Sequence, residues 1–217
     1  MSGVIQALLA YGGAPSFKNF ELLFEGANGS TTITETFGAT VALLGANNSI
    51  STAQFVDGAS SWTSTGASGN YLSTASSTNH DFGAGDFAIK AKIRPSTVTG
   101  THMILTNRSP SGSDLGFLFW QVATQVRFIA WGPTASTTLV DMTGGTIALN
   151  TWAELEVRRV GSAWNILQAG SSVASTTNSG TIIASTNAMR VGNDPSTAGR
   201  EFAGYIDTLQ IFKGGIV

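Results

Sequence analysis

Cysteine is absent from the 217-residue sequence, so disulfides, zinc–thiolate sites and a cysteine nucleophile are excluded. Charge is also scarce, because only 11% of the residues are charged against the ~25% typical of soluble domains. Eleven Lys and Arg against thirteen Asp and Glu give a net charge of −2, which is not the basic surface that attracts nucleic acid or an anionic membrane. No apolar run approaches the ~18 residues of a bilayer-spanning helix. We therefore expect neither nucleic acid nor a membrane as a partner.

Serine, threonine and glycine are abundant where charge is missing: the chain has 24 Ser, 27 Thr and 26 Gly. All three are poor residues for helix interiors, whereas threonine favours strands and glycine favours turns. A chain of this length can bury a core without a disulfide or a metal. The composition therefore predicts an all-β protein with a neutral, hydroxyl-rich surface.

Several segments alternate between apolar and polar residues with the period of a half-buried strand. In residues 86–94, for example, Phe87 and Ile89 fall on one face and Lys90 and Lys92 on the other, and Pro95 then closes the strand. Turn signals recur about every 8–15 residues, which is the rhythm of a β-sandwich. Further strands are predicted in residues 117–122, 126–131, 151–160, 164–168 and 204–212. The serine- and threonine-rich stretches 57–70 and 171–180 are predicted to be loops.

A series of short motifs resembles a known family when taken in order along the chain. They are LLFEGANGSTT (22–32), NYL (70–72), HDFGAGDF (80–87), IRPS (93–96), TW (151–152) with Arg158 and GSAW (161–164), GYIDTL (204–209) and FKG (212–214). Together they resemble the laminin-G-like domains of the concanavalin A-like lectin/glucanase fold, in the form common in tailed-phage virion proteins. The resemblance implies an antiparallel β-sandwich of the jelly-roll type over residues 19–217. Its first strand near 22–24 would pair with its last near 205–212. Residues 1–18 are predicted to form an N-terminal extended arm, which is either a draped terminus or a docking segment that orders on a partner.

This fold hosts lectins, glycosidases and structural modules, and we expect a function without catalysis because the sequence has no catalytic set. The expected role is that of a structural protein on the surface of a phage particle, either decorating (cementing) the head or associated with the tail. The arm and an apolar strand surface would attach it to capsid or tail proteins, and we expect a homo-oligomer. The alternative is a carbohydrate-binding module that attaches the particle to glycans of the host surface.

Candidate catalytic residues are few. Glycosidases of this fold carry acids at Glu-x-Asp-x-x-Glu spacing, and that motif is absent. Glu154 and Glu156 share one strand face with Arg158, so a solvated ladder of charges explains them. His80 and His102 are the only histidines, and no Gly-x-Ser-x-Gly turn accompanies them, so we expect ordinary loop or edge residues. We predict that the protein is not an enzyme.

Asp207 is a candidate metal ligand because it shares a strand face with apolar residues, and a carboxylate there needs a partner. In the resembling family the matching acid often helps to bind a structural calcium ion, and Glu25 stands where a second ligand is expected. Thr208 replaces a further acid of the family pattern. Two alternatives stay open: calcium held by Glu25 and Asp207 with carbonyls and water, or hydrogen bonds from backbone groups or an arginine.

Tryptophans supply the candidate ligand contacts. In the hairpin 117–131, Phe117, Phe119 and Phe128 fall on the face opposite Leu118, Trp120 and Trp131. One face must fill the core, and the other is a second layer covered by a loop, a subunit contact or a surface on which sugars stack. Trp62, in the predicted loop, is either a cover or a further sugar platform. Trp152 and Trp164 are predicted to pack in the core.

Overall fold

The computed structural model describes residues 17–111, 116–134 and 137–214, which form two antiparallel sheets. The strands of the first, sheet A, are β1 (Phe17–Leu23), β2 (Thr34–Glu35), β4 (Asn48–Ser51), β5 (Ser61–Thr65), β7 (Phe87–Pro95), β12 (Ala153–Val160), β13 (Ala163–Gln168), β14 (Ser171–Thr177) and β16 (Ala203–Lys213). The strands of the second, sheet B, are β3 (Val41–Leu44), β6 (Tyr71–Thr74), β8 (Thr101–Thr106), β9 (Phe117–Val122), β10 (Gln125–Trp131), β11 (Thr138–Gly144) and β15 (Met189–Val191). A 3₁₀ turn, Thr78–His80, lies between β6 and β7.

The long strand β16 organises sheet A. The strand order is β14-β13-β12-β7-β16-β1-β2, and β5 also pairs with β16 and carries β4 on its other edge. The first and last strands pair as predicted, with Leu22 opposite Leu209. The register of β16 against β7 shifts between Asp207 and Leu209. This all-β sandwich confirms the predicted fold class. Of the predicted arm, only Phe17 and Lys18 lie within the described residues.

Sheet B has the order β11-β10-β9-β8-β15-β6-β3. Between β11 and β8 lies the predicted hairpin of β9 and β10, with Phe128 opposite Phe119 and Ile129 opposite Leu118. Ala123 adopts a φ of 51° in the two-residue turn between these strands. The next strand along the sheet, β8, is joined to β9 with Met103 opposite Trp120.

The main core fills the space between the two sheets. Alternation places Phe87 and Ile89 of β7 in this core, with Leu155 and Val157 of β12 beside them. Trp164 is fully buried and lies edge-on to Phe87, with 5.6 Å between the ring centroids. The face of the hairpin that carries Phe117, Phe119 and Phe128 fills the core, as one of the two faces had to.

Three sequence predictions are wrong at the level of elements and packing. The stretch 57–70 contains strand β5, and Trp62 on that strand is fully buried with its Nε1 donating to Asn48 Oδ1 at 3.1 Å. The stretch 171–180 contains strand β14. Trp152 is only partly buried and belongs to neither apolar cluster.

Close packing against Trp62 explains why residue 192 is a glycine. Gly192 has a φ of +83°, and a Cβ there would lie 2.5 Å from the ring atom Cη2 of Trp62. The side chains beneath the sheets thus leave no room for a larger residue at this position. Within the described ranges, no helix has the length and hydropathy to cross a membrane.

Candidate ligand-binding face

The outer face of sheet A carries the predicted ladder of charges. Glu156 lies opposite Lys90 on the neighbouring strand, with 3.6 Å between carboxylate and ammonium, and Glu154 lies opposite Lys92. Arg158 is 4.0 Å from Glu156. Each of the two glutamates thus has a basic neighbour on the outer face of the sheet. These charge pairs explain both glutamates without a catalytic role.

The outer face of sheet B is different, because it carries a second apolar cluster. Met103, Leu118, Trp120 and Ile129 form this cluster, with Val122 and Trp131 packed against it, and we call the six residues the sheet B patch. The first four are at most 7% exposed, whereas Trp131 is partly exposed. Of the three predicted sugar platforms, Trp131 therefore offers the most accessible ring, Trp120 offers little, and Trp62 is inaccessible beneath the sheet.

Two guanidinium groups lie over the Trp120 ring. The Cζ atom of Arg127 is 5.5 Å from the ring centroid and that of Arg200 is 5.1 Å away, which is the range of cation–π attraction. Arg127 is fixed by a two-bond contact with Asp141, at 2.8 and 2.6 Å, and these bonds raise the pKa of Arg127. Arg200 is fixed by a 2.8 Å bond to Asp194. The indole Nε1 of Trp120 is buried and has no hydrogen-bond partner in the described structure.

A second group of polar side chains adjoins the patch. Asp194, whose side chain is fully buried, also lies 3.6 Å from Arg108 Nη1. Arg190 lies over the Tyr71 ring, with 4.5 Å from Cζ to the centroid, and donates to Asn193 Oδ1 at 2.8 Å. The edge of the apolar cluster therefore carries arginines, one aromatic ring and one buried acid.

Strand register aligns the patch with Arg190. Successive pairings place Arg190 of β15 opposite Thr106 of β8, Thr106 opposite Leu118, Leu118 opposite Ile129, and Ile129 opposite Asp141. One row across the sheet thus begins with a cation, passes through a buried threonine and two apolar side chains, and ends with an acid. Apolar and aromatic surface combined with a few fixed polar groups is the usual composition of a small-molecule site.

Asp207 is held by hydrogen bonds. The carboxylate is 3% exposed, and its Oδ2 accepts the amides of Val56 at 2.6 Å and Asp57 at 2.8 Å. Its Oδ1 accepts the Thr208 amide at 2.8 Å. Backbone donors thus surround both oxygens, which is the second of the two alternatives open for this residue.

These donors do not fit a calcium site, which needs six to eight oxygen ligands. Glu25 is exposed and lines a small cavity shared with Asp57 and Asp207. Lys92 and Thr208 each bond the Asp57 carboxylate at 2.7 Å, and these bonds lower the pKa of Asp57. Among the residues whose positions are described, no group of three or more His, Asp and Glu has a metal-binding arrangement.

Neither histidine has the surroundings of a catalytic base. His80 is 1% exposed in the 3₁₀ turn, and burial lowers its pKa. Its burial differs from the predicted loop or edge position. His102 begins β8 as predicted, and its ring nitrogens each lie 2.8 Å from a backbone carbonyl, those of Glu201 and Thr99.

Sequence analysis missed the polar half of this face. The sequence could have indicated Arg190, because this residue stands between the apolar Met189 and Val191 on the alternating strand β15 and must point outward. The cluster of Arg108, Asp194 and Arg200 had no such signal, because Arg108 lies more than 80 residues before the other two and meets them only in the folded chain.

Comparisons with known proteins agree with this architecture. A family model described as the concanavalin A-like lectin/glucanases superfamily, laminin G type, matches residues 65–215. No curated protein sequence matches the chain significantly. The binding domain of botulinum neurotoxin serotype G is similar in structure, with a TM-score of 0.71 and 14% identity over 93% of this chain and 49% of that one. The chain thus spans about half of the neurotoxin binding domain.

Two further similar structures come from carbohydrate-active proteins. Domain 4 of an extracellular arabinanase from Geobacillus stearothermophilus, in complex with arabinotriose, has a TM-score of 0.65 and 13% identity over 94% of this chain and 96% of that one. The CBM40 of a Ruminococcus gnavus sialidase, bound to α2,3-sialyllactose, has a TM-score of 0.52 and 9% identity over 61% and 78%. At these identities the likeness concerns the fold, which here is shared with binding domains. Because the family model covers most of the chain, we conclude that the protein belongs to the laminin-G-like family of the concanavalin A-like lectin/glucanase superfamily.

Proposed function

We propose that the protein is a non-catalytic carbohydrate-binding module and that the sheet B patch is its binding face. The observation that carries the proposal is the partly exposed Trp131 beside the apolar cluster, with the Arg127–Asp141 pair at its border. A sugar would stack a C–H face on the Trp131 ring while its hydroxyls exchange hydrogen bonds with the guanidinium and the carboxylate.

The physical basis is the mixed chemistry of sugars. An aromatic ring contributes apolar contact at low entropy cost, and fixed polar groups supply orientation. Arg127 and Arg200 are already held by Asp141 and Asp194, so binding would order few side chains. Two of the similar structures are described as complexes with oligosaccharides, which supports this class of ligand.

The absence of catalysis is part of the proposal. Hydrolysis of a glycosidic bond needs two carboxyl groups about 5–9.5 Å apart on either side of the scissile bond. Glu154 and Glu156 both project from one strand on the outer face of sheet A, where lysines lie opposite them. That arrangement supports a binding role over a hydrolytic one.

Glycan-array screening of the intact chain, followed by calorimetry with the best ligand, tests the proposal. Trp131→Ala should weaken binding at least tenfold, about 1.4 kcal/mol, because the stacking surface is lost. Trp152→Ala is the matched control, since Trp152 is also partly exposed but lies outside the patch. Binding that is absent, or that falls equally in both variants, would contradict the proposal.

Placement on a phage particle stays a prediction. It rests on the resemblance of the sequence to domains of tailed-phage virion proteins and on the low surface charge. A glycan-binding role and a virion surface are compatible, because a particle that carries such a module would adhere to the glycans of its host. The expected capsid or tail partners and the homo-oligomer belong to the same prediction.

A further inference from the structure

We propose that the ligand of the sheet B patch is an acidic oligosaccharide whose anionic group is bound by the guanidinium of Arg190. The proposal rests on the function proposed above and names the chemical class of its ligand. The group that the geometry fits is a sugar carboxylate. A sulfate ester shares the charge and the acceptor oxygens, so the experiment includes it as a separate arm.

Arg190 is held in place by neutral groups. Its Cζ lies 4.5 Å from the Tyr71 centroid, and its Nη1 donates to Asn193 Oδ1 at 2.8 Å. Asn193 in turn donates to the buried Glu201 at 3.2 Å. No carboxylate of the described residues lies within ion-pair distance of Arg190. A guanidinium has five N–H donors in a fixed fork, so the side chain is oriented but has donors left for a ligand.

The other arginines of this face differ, because acids already neutralise them. Arg127 has Asp141, and Arg200 has Asp194. Arg108 shares Asp194 at the longer distance of 3.6 Å, and its buried Nε has no partner in the described structure. Among the described residues of this face, four guanidiniums therefore accompany three carboxylates when the buried Glu201 is included. This described part of the face keeps an excess of one positive charge in a protein of net charge −2.

Arg190 is also correctly placed for an oligosaccharide. It occupies the same row as Leu118 and Ile129 of the patch, three strands from Ile129. At ~4.8 Å per strand, the two Cα atoms are about 14 Å apart. A short sugar chain lying across the strands would therefore reach the Trp131 region with one residue and Arg190 with another.

Bidentate contacts between arginine and carboxylate are strong and directional, whereas lysine acts as a point charge. Sheet A offers two lysines close to one another, but Lys92 is bonded to Asp57 and Lys90 faces Glu156. An anionic sugar is thus expected to prefer sheet B. Since Arg190 borders partly buried surface, its contact should be less screened by salt than one on open surface.

The test uses an array of neutral, uronic-acid-containing, sialylated and sulfated oligosaccharides, followed by calorimetry. The best acidic ligand and its neutral counterpart are titrated into the wild type, Arg190→Gln and Arg190→Lys. We expect the acidic ligand to bind at least tenfold more tightly than the neutral one. Arg190→Gln should abolish that preference, and Arg190→Lys should restore only part of it. Arg158→Gln, on the outer face of sheet A, is the matched control and should change nothing. Thermal unfolding verifies that each variant is folded.

The outcomes separate this inference from the proposed function. Binding of neutral sugars that depends on Trp131 but shows no preference for acidic ones would overturn the inference alone. An acidic preference that survives in Arg190→Gln would also overturn it. A preference for sulfated over carboxylated ligands that Arg190→Gln abolishes would replace the carboxylate by the sulfate as the bound group. Failure to bind any glycan would overturn both proposals.

Discussion

Arg159 shows how single residues of this protein accommodate charge. Arg159 is 2% exposed and points inward from β12, and no acid of the described part of the chain bonds it. Its guanidinium instead donates to the carbonyls of Gly161 and Gly180 at 2.8 Å and of Gly83 at 3.3 Å, and lies 4.9 Å from the Trp164 centroid. Burial lowers the pKa of Arg159. Carbonyl oxygens from three segments thus replace a carboxylate, and the cation ties those segments together.

His80 makes stability depend on pH. Desolvation lowers the pKa of the buried imidazole from its ordinary value of 6.5, the charge of Lys213 lowers it further, and Asp81 and a 3.4 Å contact with the Ala75 carbonyl oppose the shift. The unfolded chain therefore binds a proton more readily than the folded one. The contribution of His80 is complete above pH 6.5 and is lost as the pH falls toward the folded-state pKa. The slope can reach about 1.4 kcal/mol per pH unit for one proton.

Urea unfolding between pH 7.5 and 4.5 tests this dependence. The wild type should lose stability on acidification below pH 6.5. His80→Gln stays neutral and keeps a donor for the Ala75 carbonyl, so its stability should fall less steeply over the same range. Parallel curves for the two proteins would show that His80 is not the group responsible.

At the scale of elements, Asp207 fastens the segment between β4 and β5 to β16. Its Oδ2 accepts the amides of Val56 and Asp57, more than 140 residues away in sequence. Ser61 Oγ donates to the Gln54 carbonyl at 2.6 Å and closes the same segment. Phe55 and Val56 remain 44% and 47% exposed on it, so hydrogen bonds and not apolar burial hold this segment in place.

Asp207→Ala should release that segment. Removing the buried carboxylate takes the acceptor from three amides, those of Val56, Asp57 and Thr208, and leaving a buried donor unsatisfied costs about 1–3 kcal/mol. Hydrogen exchange should accelerate at Val56 and Asp57, while amides of β12 keep their protection. Glu25→Gln is the control, because Glu25 is exposed. Calcium should leave the melting temperature of the wild type unchanged, and a rise that Asp207→Ala abolishes would restore the metal site.

Elements with one apolar and one polar face were predictable: β7, β12, β13 and β16 lie within two residues of their predicted bounds, because alternation and burial agree in them. β9 and β10 were also predicted within two residues, although both faces of this hairpin are largely buried. β5 was not predicted because Ser61, Trp62 and Ser64 are all buried without alternation. Hydrogen bonds satisfy the buried serine hydroxyls. β14 was not predicted because it is polar and largely exposed on both faces. The loops that bring Arg108 to Asp194 obey no periodic pattern.

At the scale of the whole molecule, the sandwich separates two kinds of outer surface. Sheet A presents alternating charges, and sheet B presents the apolar patch with its arginines. The apolar residues on both faces of the β9–β10 hairpin were visible in the sequence, but their function was not, since a loop-covered layer, a subunit contact and a sugar surface have the same pattern. We favour the sugar surface over the subunit contact, because paired arginines that lie over Trp120 would be costly to bury in an apolar interface.

Assembly provides the last discriminating prediction. If subunits associate through the N-terminal residues while the patch binds glycans, the wild type and Trp131→Ala should show the same mass in light scattering, a multiple of 22.4 kDa. The patch would then stay accessible in the oligomer, and a saturating glycan should not dissociate it. Both forms should co-sediment with phage particles if the chain is a virion protein. Loss of assembly in Trp131→Ala would assign the patch to a subunit contact, because the same ring cannot be buried by a partner and stack on a sugar.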